Sequence, residues 1–149
     1  MVAEHLVYKS FRLLMDILQN FIDGSYQAPI NKNYLDNIEP ATGLVYGKTP
    51  NSCHDDVEQA VNAAEKALPA WRKMPLEARA DILYAIAQGI ESKLEELALA
   101  ESIDNGKPVS LAKMVDIPRA ASNFKFFAHA CSQFSSESHS MIGTATNYT

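Results

Sequence analysis

The sequence predicts an α/β fold in which short β-hairpins precede a longer helical segment. Two turn signals come first, an Asp23-Gly24 pair and a turn that runs from Pro40 to Gly43. Apolar residues then recur at three- and four-residue steps between residues 57 and 97, which is the spacing of helices that bury one face. The length of 149 residues suits one ordinary domain.

The composition argues against nucleic-acid-binding, membrane-spanning and disulfide-rich proteins. The chain is 47% hydrophobic and 21% charged, which suits a globular protein with a buried core. Its net charge is −5 and its 13 basic residues are scattered, which argues against a nucleic-acid surface. No apolar run approaches the roughly 18 residues of a transmembrane helix, so we expect no membrane span. Cys53 and Cys131 form no CxxC pair, so we expect no disulfide framework and a cytoplasmic location.

Residues 1–19 are interpreted as an N-terminal extension. Apolar residues recur there at helical spacing, with basic residues between them. A mitochondrial presequence is also amphipathic and basic, but Glu4 and Asp16 depart from its usual lack of acids. We therefore expect a short packing helix rather than a targeting peptide.

The hairpins are predicted from their turn residues. Asp-Gly readily takes the left-handed angles of a type I′ turn, here between Phe21-Ile22 and Ser25-Tyr26. Pro40 begins the second turn and Gly43 ends it, and strand-forming residues follow.

Helices are predicted from residue 52 onward. Ser52 and Asp55 resemble a capping box. A buried stripe is predicted at Val57, Ala60, Val61, Ala64, Leu68 and Trp71. Pro69 should end or kink this helix because proline lacks the N–H and clashes with the preceding turn, and Pro75 should begin the next one. Residues 92–95 form a second capping box, which predicts a break there.

Two further helix junctions are predicted close together. Asn105-Gly106 indicates a helix C-terminus, and Pro108 begins the next piece. Asp116 is placed to cap a later helix and Pro118 suits its first turn, so Arg119 should lie in that turn.

The end of the chain, "GTATNYT", predicts a strand. Because no turn or cap follows it, its edge N–H and C=O groups would be unpaired, and we expect a truncated chain.

Familiar catalytic motifs are absent from the sequence. It has no GxGxxG or GxxxxGK[ST] nucleotide-binding loop and no GxSxG nucleophile elbow. Cys53 and Cys131 have no obvious base nearby, so we interpret both as packing residues. His54 and His129 are interpreted as surface or satisfied core histidines.

Five segments carry a family resemblance: "NFIDGSY", "NIEPATGLVYGKTP", "DDVEQAVNAAEKALPAWRKMP", "ESIDNGKP" and "NFKFFAHA". In this order and spacing, residues 20–149 resemble the amino-terminal part of an aldehyde dehydrogenase, truncated before the domain is complete. The region around "DNGKP" is most similar to the branch that acts on 2-aminomuconic semialdehyde in tryptophan catabolism by the kynurenine pathway. The resemblance implies the opening hairpins and helices of the family fold, ending in the first strand of the flap through which family members form homo-oligomers.

The resemblance also implies an oxidoreductase chemistry. In the family a cysteine attacks the aldehyde, hydride passes to NAD(P), and water releases the acid. The nucleophilic cysteine and the glutamate base lie beyond the matching region. No catalytic or cofactor-binding residue is therefore expected here, and the 149 residues alone should be inactive and should not bind NAD. The resemblance places a monovalent cation beside Asn37, Ile38 and Asp104, held through backbone oxygens.

Arg119 is the candidate for substrate binding. A cation in the first turn of a helix is disfavoured by the helix dipole, so an arginine there needs an explanation. One interpretation is an exposed arginine paired with Asp116. The other is a carboxylate site, because free N–H groups and a planar guanidinium both attract an anion. The aldehydes of the similar branch carry carboxylates, and in the family this helix borders the substrate channel.

Two other interpretations stay open. A truncated chain could be a non-catalytic interaction module that docks onto a full-length subunit through its unpaired strand. It could also be the product of an incomplete coding sequence that does not fold alone.

Overall fold

The computed structural model describes residues 17–133, 138–141 and 145–148, so most of the expected N-terminal extension lies outside the described residues. The strands are β1 (Asn20–Ile22), β2 (Ser25–Gln27), β3 (Tyr34–Glu39), β4 (Leu44–Pro50), β5 (Ser138–Met141) and β6 (Ala145–Tyr148). The helices are α1 (His54–Lys73), α2 (Leu76–Ser92), α3 (Leu94–Asn105), α4 (Val109–Leu111) and α5 (Ile117–Gln133), with a π-helical segment (Ala112–Asp116) between α4 and α5. This order of hairpins and helices confirms the predicted fold class.

The described strands form three separate antiparallel pairs, β1–β2, β3–β4 and β5–β6. Asp23 and Gly24 have φ values of 50° and 76°, the left-handed conformation of the predicted type I′ turn. In the second turn Gly43 has a φ of 70°, and its N–H donates to the Glu39 carbonyl at 2.8 Å. The predicted last strand is β6, and its partner β5 was not predicted because the sequence there is polar.

A β-bulge interrupts the β3–β4 pair. Asn37 pairs with Gly47 whereas Ile38 pairs with Val45, which leaves Tyr46 as the extra residue. A bulge redirects the side chain of its extra residue. Tyr46 is buried, and its hydroxyl reaches α3.

The start of α1 differs by one residue from the prediction. The N-cap is Cys53 rather than Ser52, and the acid that reaches back is Asp56 rather than Asp55. The buried Asp56 carboxylate accepts the N–H of Cys53 at 2.8 Å and that of Ile30 at 2.9 Å. These two backbone hydrogen bonds, the one from Cys53 first, hold the pKa of Asp56 below its usual range. Asp56 therefore joins the loop after β2 to the start of α1.

The remainder of α1 also corrects two expectations. Pro69 lies inside the helix, which continues to Lys73, so of the two predicted effects, an end or a kink, the end does not occur. This part of α1 is exposed, so water can satisfy the carbonyl that Pro69 cannot bond. The predicted buried stripe is instead open: the exposed fraction is 56% for Val57, 47% for Leu68 and 38% for Trp71.

The later helices pack through small residues. The buried positions are mostly alanines, and the buried apolar residues of the helices are Ala87, Ala98, Ile103, Ala112, Ala121 and Ala128. Helix α2 packs along α5, and Lys125 on α5 donates to Glu91 on α2 at 2.6 Å. The predicted break between α2 and α3 is confirmed at Lys93. Among the described residues, no helix has both the length and the apolar character needed to cross a bilayer.

The two predicted helix junctions have different outcomes. Gly106 is confirmed as the left-handed C-cap of α3, with a φ of 77° and its N–H on the Ser102 carbonyl at 2.9 Å. No new helix begins at Asp116, because the chain stays helical there and the Ile117 N–H donates to the Ala112 carbonyl. Pro118 removes a hydrogen bond and crowds the preceding turn, and a π turn accommodates such a defect within a continuous helix. Asp116 is therefore not an N-cap.

Candidate functional site

Asn37, Tyr46 and Asp104 form a hydrogen-bonded group, which we call the Asp104 cluster. The Tyr46 hydroxyl donates to Asp104 Oδ1 at 2.7 Å. Asn37 Nδ2 donates to the Tyr46 hydroxyl at 2.7 Å and to Asp104 Oδ1 at 3.1 Å. The cluster joins β3 and β4 to the end of α3, and the bulge at Tyr46 brings the ring into it.

The surroundings of Tyr46 keep its hydroxyl protonated, so that it acts as a hydrogen-bond donor. Burial raises the pKa of Tyr46 well above its usual range, and the hydrogen bond to the Asp104 carboxylate raises it further. The hydroxyl therefore keeps its proton and directs it to Asp104.

A cavity of about 370 Å³ lies beside the Asp104 cluster. Leu97, Ala100 and Ile117 form an apolar part of its lining, and Glu101 and Asp104 add carboxylates. Lys48 also lines the cavity, but its ammonium is paired with Asp36 at 2.7 Å. The lining thus holds two carboxylates and one ammonium, and Glu101 is itself paired with Lys107 at 3.3 Å. This excess of carboxylates favours a cation over an anion.

Two of the three predicted cation-site residues, Asn37 and Asp104, are in contact in the structure. Asn37 and Asp104 are hydrogen-bonded to each other, whereas Ile38 does not line the cavity and its side chain is 52% exposed. In the described parts of the chain, no group of three or more His, Cys, Asp or Glu residues could hold a metal ion. Oxygen ligands that fit this setting suit a hard cation rather than a transition metal. Tyr46 was missed by the sequence analysis because a bulge leaves no clear signal in a strand sequence.

A second charged group lies where α3 leads into the π-helical segment. Lys107 Nζ is 2.7 Å from Asp116 Oδ2 and 3.3 Å from Glu101 Oε1. The hydrogen bond with Asp116, and to a smaller extent that with Glu101, raises the pKa of Lys107. The backbone of Lys107 is held as well: its N–H donates to Asn105 Oδ1 at 2.9 Å, and its carbonyl accepts the Ser102 hydroxyl at 2.5 Å.

Arg119 is exposed on α5, three residues after Asp116. Within the part of the chain that the structure describes, no carboxylate is within ion-pair distance of its guanidinium. The Asp116–Arg119 pair considered from the sequence is therefore not formed, because Lys107 binds Asp116. The expected free helix N-terminus is also absent, since the π-helical segment precedes α5 without a break.

Both histidines are exposed, as one of the two predicted alternatives has it, whereas Cys53 is the N-cap of α1 rather than a packing residue. Both thiols are free, Cys53 caps α1, and the Cys131 thiol contacts the Leu76 carbonyl at 3.9 Å. His54 is exposed, and His129 Nδ1 is 2.7 Å from the Lys125 carbonyl.

The described residues also do not fit a dinucleotide, because they contain only antiparallel strand pairs and no glycine-rich turn between a strand and a helix.

Comparison with known proteins identifies a family. Residues 26–149 match the model of the aldehyde dehydrogenase family. Human 2-aminomuconic semialdehyde dehydrogenase is 44% identical over 121 residues, which are 81% of this chain and 24% of the human protein. The chain thus spans about a quarter of the length of the curated relatives it matches.

Solved structures agree with this match. A variant of the aldehyde dehydrogenase from Bacillus cereus superposes with a TM-score of 0.86 at 28% identity, covering 94% of this chain and 28% of the Bacillus chain. The structure of PnpE in complex with nicotinamide adenine dinucleotide has a TM-score of 0.84 at 29% identity, covering 88% and 27% of the two chains. The matching region is the amino-terminal portion of these proteins.

Proposed function

This chain belongs to the aldehyde dehydrogenase family, and from this premise we propose that it serves the oxidation of an aldehyde to its acid. The substrate that we propose is a semialdehyde that carries a carboxylate, 2-aminomuconic semialdehyde in the first place. The observation that carries this choice is Arg119, an exposed guanidinium with no carboxylate partner among the described residues. A planar guanidinium binds both oxygens of a carboxylate at once.

The continuous helical run before α5 limits what can attract an anion beside Arg119. A free helix N-terminus no longer contributes, because the π-helical segment uses the Ile117 N–H. The guanidinium itself is the remaining source of attraction for an anion, and it is enough for a charge-assisted, two-point hydrogen bond. We propose that Arg119 binds the substrate carboxylate and takes no part in the chemical steps at the aldehyde carbon.

The rest of the chemistry is proposed to come from outside these residues. NAD is the proposed hydride acceptor, supported by the NAD complex of the relative PnpE. Because the described residues do not fit a dinucleotide, we propose that the 149 residues alone neither bind NAD nor oxidise aldehydes. A homo-oligomer and a cytoplasmic location are proposed on family grounds, and the two free thiols fit a reducing compartment.

A monovalent cation beside Asn37, Ile38 and Asp104 is also proposed. It is supported by the acidic lining of the neighbouring cavity and by the β-bulge, which disrupts backbone pairing at these strand residues. Asp104 would supply oxygen ligands, and the backbone at Asn37 and Ile38 would supply carbonyls.

The test of the proposed substrate is Arg119→Ala in a full-length enzyme. A suitable host is the human relative with its matching segment replaced by residues 26–149 of this chain. For a carboxylated semialdehyde we expect kcat/KM to fall by roughly 1.5–3 kcal/mol, or about 10- to 150-fold, mainly through KM. An uncharged aldehyde of similar size should be affected far less.

Arg72→Ala is the matched control, because Arg72 is also an exposed arginine on a helix and lies on α1. It should leave kcat/KM unchanged for both aldehydes. Equal losses for the charged and the uncharged aldehyde in Arg119→Ala would show that Arg119 supports the fold and would refute a carboxylate site.

A further inference from the structure

Asp116 and Arg119 are three residues apart on a continuous helical run. Oppositely charged side chains at this spacing are neighbours on a helix surface and commonly pair. Here they do not pair: Asp116 is bound to Lys107, and Arg119 has no carboxylate partner in the described residues. The cation that neutralises Asp116 is therefore Lys107 and not Arg119.

We propose that Lys107 is a positioning residue that occupies Asp116 and so leaves the Arg119 guanidinium available to a carboxylate ligand. This inference rests on the proposed function, because it assigns a purpose to the free guanidinium. If Lys107 were absent, Asp116 would be an intramolecular competitor for Arg119. A substrate carboxylate would then have to displace Asp116 before it could bind.

The geometry favours Lys107 over Arg119 as the partner of Asp116. The Lys107 and Asp116 side chains are 27% and 31% exposed, so their 2.7 Å pair is partly shielded from solvent. Glu101 supports the same ammonium at 3.3 Å, and both backbone polar groups of Lys107 are hydrogen-bonded. The lysine is thus held in place at less entropic cost than a freely moving surface lysine would incur.

The contact also crosses between two elements. Lys107 follows the left-handed Gly106 after α3, whereas Asp116 is the last residue of the π-helical segment. The ion pair between them therefore occupies the Asp116 carboxylate with a cation from outside α5.

Charge selectivity is the ratio of kcat/KM for a carboxylated semialdehyde to kcat/KM for an uncharged aldehyde. The test measures this ratio for variants of the full-length host enzyme that carries residues 26–149 of this chain. Lys107→Met should raise KM for the carboxylated aldehyde about two- to fivefold, the scale of competition from one partly exposed ion pair. The kcat for that aldehyde and both constants for the uncharged one should not change. Adding Asp116→Asn to Lys107→Met should restore KM, because the competitor has then lost its charge.

Two further variants separate positioning from a structural role. Asp116→Asn alone should keep full charge selectivity although it breaks the ion pair, whereas a purely structural pair would lose it. Lys113→Met is the matched control, because this lysine of the π-helical segment pairs with Glu95 on α3 rather than with Asp116. It should leave selectivity unchanged.

The outcomes also distinguish this inference from the proposed function. Suppose that Arg119→Ala abolishes charge selectivity. If Lys107→Met then does not lower charge selectivity, or if adding Asp116→Asn to Lys107→Met does not restore it, the positioning role is refuted and the carboxylate site stands. If Arg119→Ala itself leaves charge selectivity unchanged, the proposed site is refuted, and the role of Lys107 falls with it.

Discussion

At the scale of single residues, Tyr46 holds the Asp104 cluster together. Its hydroxyl both donates to Asp104 and accepts from Asn37, so Tyr46→Phe removes two hydrogen bonds, one of them to a charged group. We expect the free energy of unfolding to fall by roughly 1.5–3 kcal/mol, measured by urea denaturation at neutral pH. Tyr84→Phe is the control, since the Tyr84 hydroxyl makes no hydrogen bond in the described part of the chain. A Tyr46→Phe protein as stable as the wild type would show that the cluster contributes nothing to the fold.

The same residue gives a pH dependence with a defined sign. Because the pKa of Tyr46 is raised in the folded state, its contribution to stability is complete below the unfolded pKa of about 10 and is lost as the pH rises above it. The unfolded chain then releases a proton that the folded chain still holds. Tyr46→Phe should therefore show a smaller alkaline loss of stability than the wild type.

The site residues differ in how far the sequence could predict them. Asn37 and Asp104 follow from a family resemblance, and the structure brings them together across 67 positions. Tyr46 could not be predicted, because its place depends on a bulge that only the pairing register defines. The role of Arg119 stays a prediction, and its expected surroundings were wrong because a proline two residues after an aspartate is typical of the start of a helix.

At the scale of elements, two glycines have opposite roles: Gly106 caps the end of α3, and Gly89 lies inside α2. Gly106 has a φ of 77°, and a Cβ there would approach Pro40 Cβ to 3.1 Å, whereas a Cβ on Gly89 in α2 would meet nothing within 4 Å. Gly106→Ala should lower the free energy of unfolding by about 1–2 kcal/mol, because the left-handed conformation is strained for alanine. Gly89→Ala should raise it by about 0.5–1 kcal/mol, because alanine favours the helix. Thermal unfolding of both variants tests this pair, and a stabilised Gly106→Ala would contradict the assigned cap.

Local chemistry explains which elements were predictable. The Asp23-Gly24 turn and the Gly106 cap follow from backbone angles that few residues adopt, so short sequences determine them. The π-helical segment is different, because Pro118 is compatible both with a helix start and with a defect inside a helix, and the choice depends on tertiary packing. The shift from Ser52 to Cys53 at the start of α1 has a similar origin: Asp56 gains a second hydrogen bond from the distant Ile30.

At the scale of the whole molecule, the stripe on α1 shows the limit of periodicity as a predictor. Its residues have helical spacing, and the helix forms where that spacing predicts it. Burial of the stripe additionally requires a partner surface, and the described residues do not provide one. A pattern in the sequence can therefore identify an apolar face without showing what covers it.

The open stripe predicts how the 149-residue chain behaves in solution. Val57, Val61, Leu68 and Trp71 are between 38% and 56% exposed and lie on one face of α1. Monomeric proteins rarely expose a continuous apolar surface of this kind, because its removal from water is favourable. We expect sedimentation velocity to show association that increases with protein concentration.

A charge placed on the stripe should oppose this association. Leu68→Lys should shift the chain toward the monomer, because burying the new ammonium in an apolar contact is costly. Met114→Lys is the control, because Met114 is 73% exposed but lies on the π-helical segment rather than on α1. Met114→Lys should associate like the wild type. If the wild-type chain sediments as a monomer at all concentrations, or if both variants dissociate equally, the stripe on α1 is not the surface through which the chain associates.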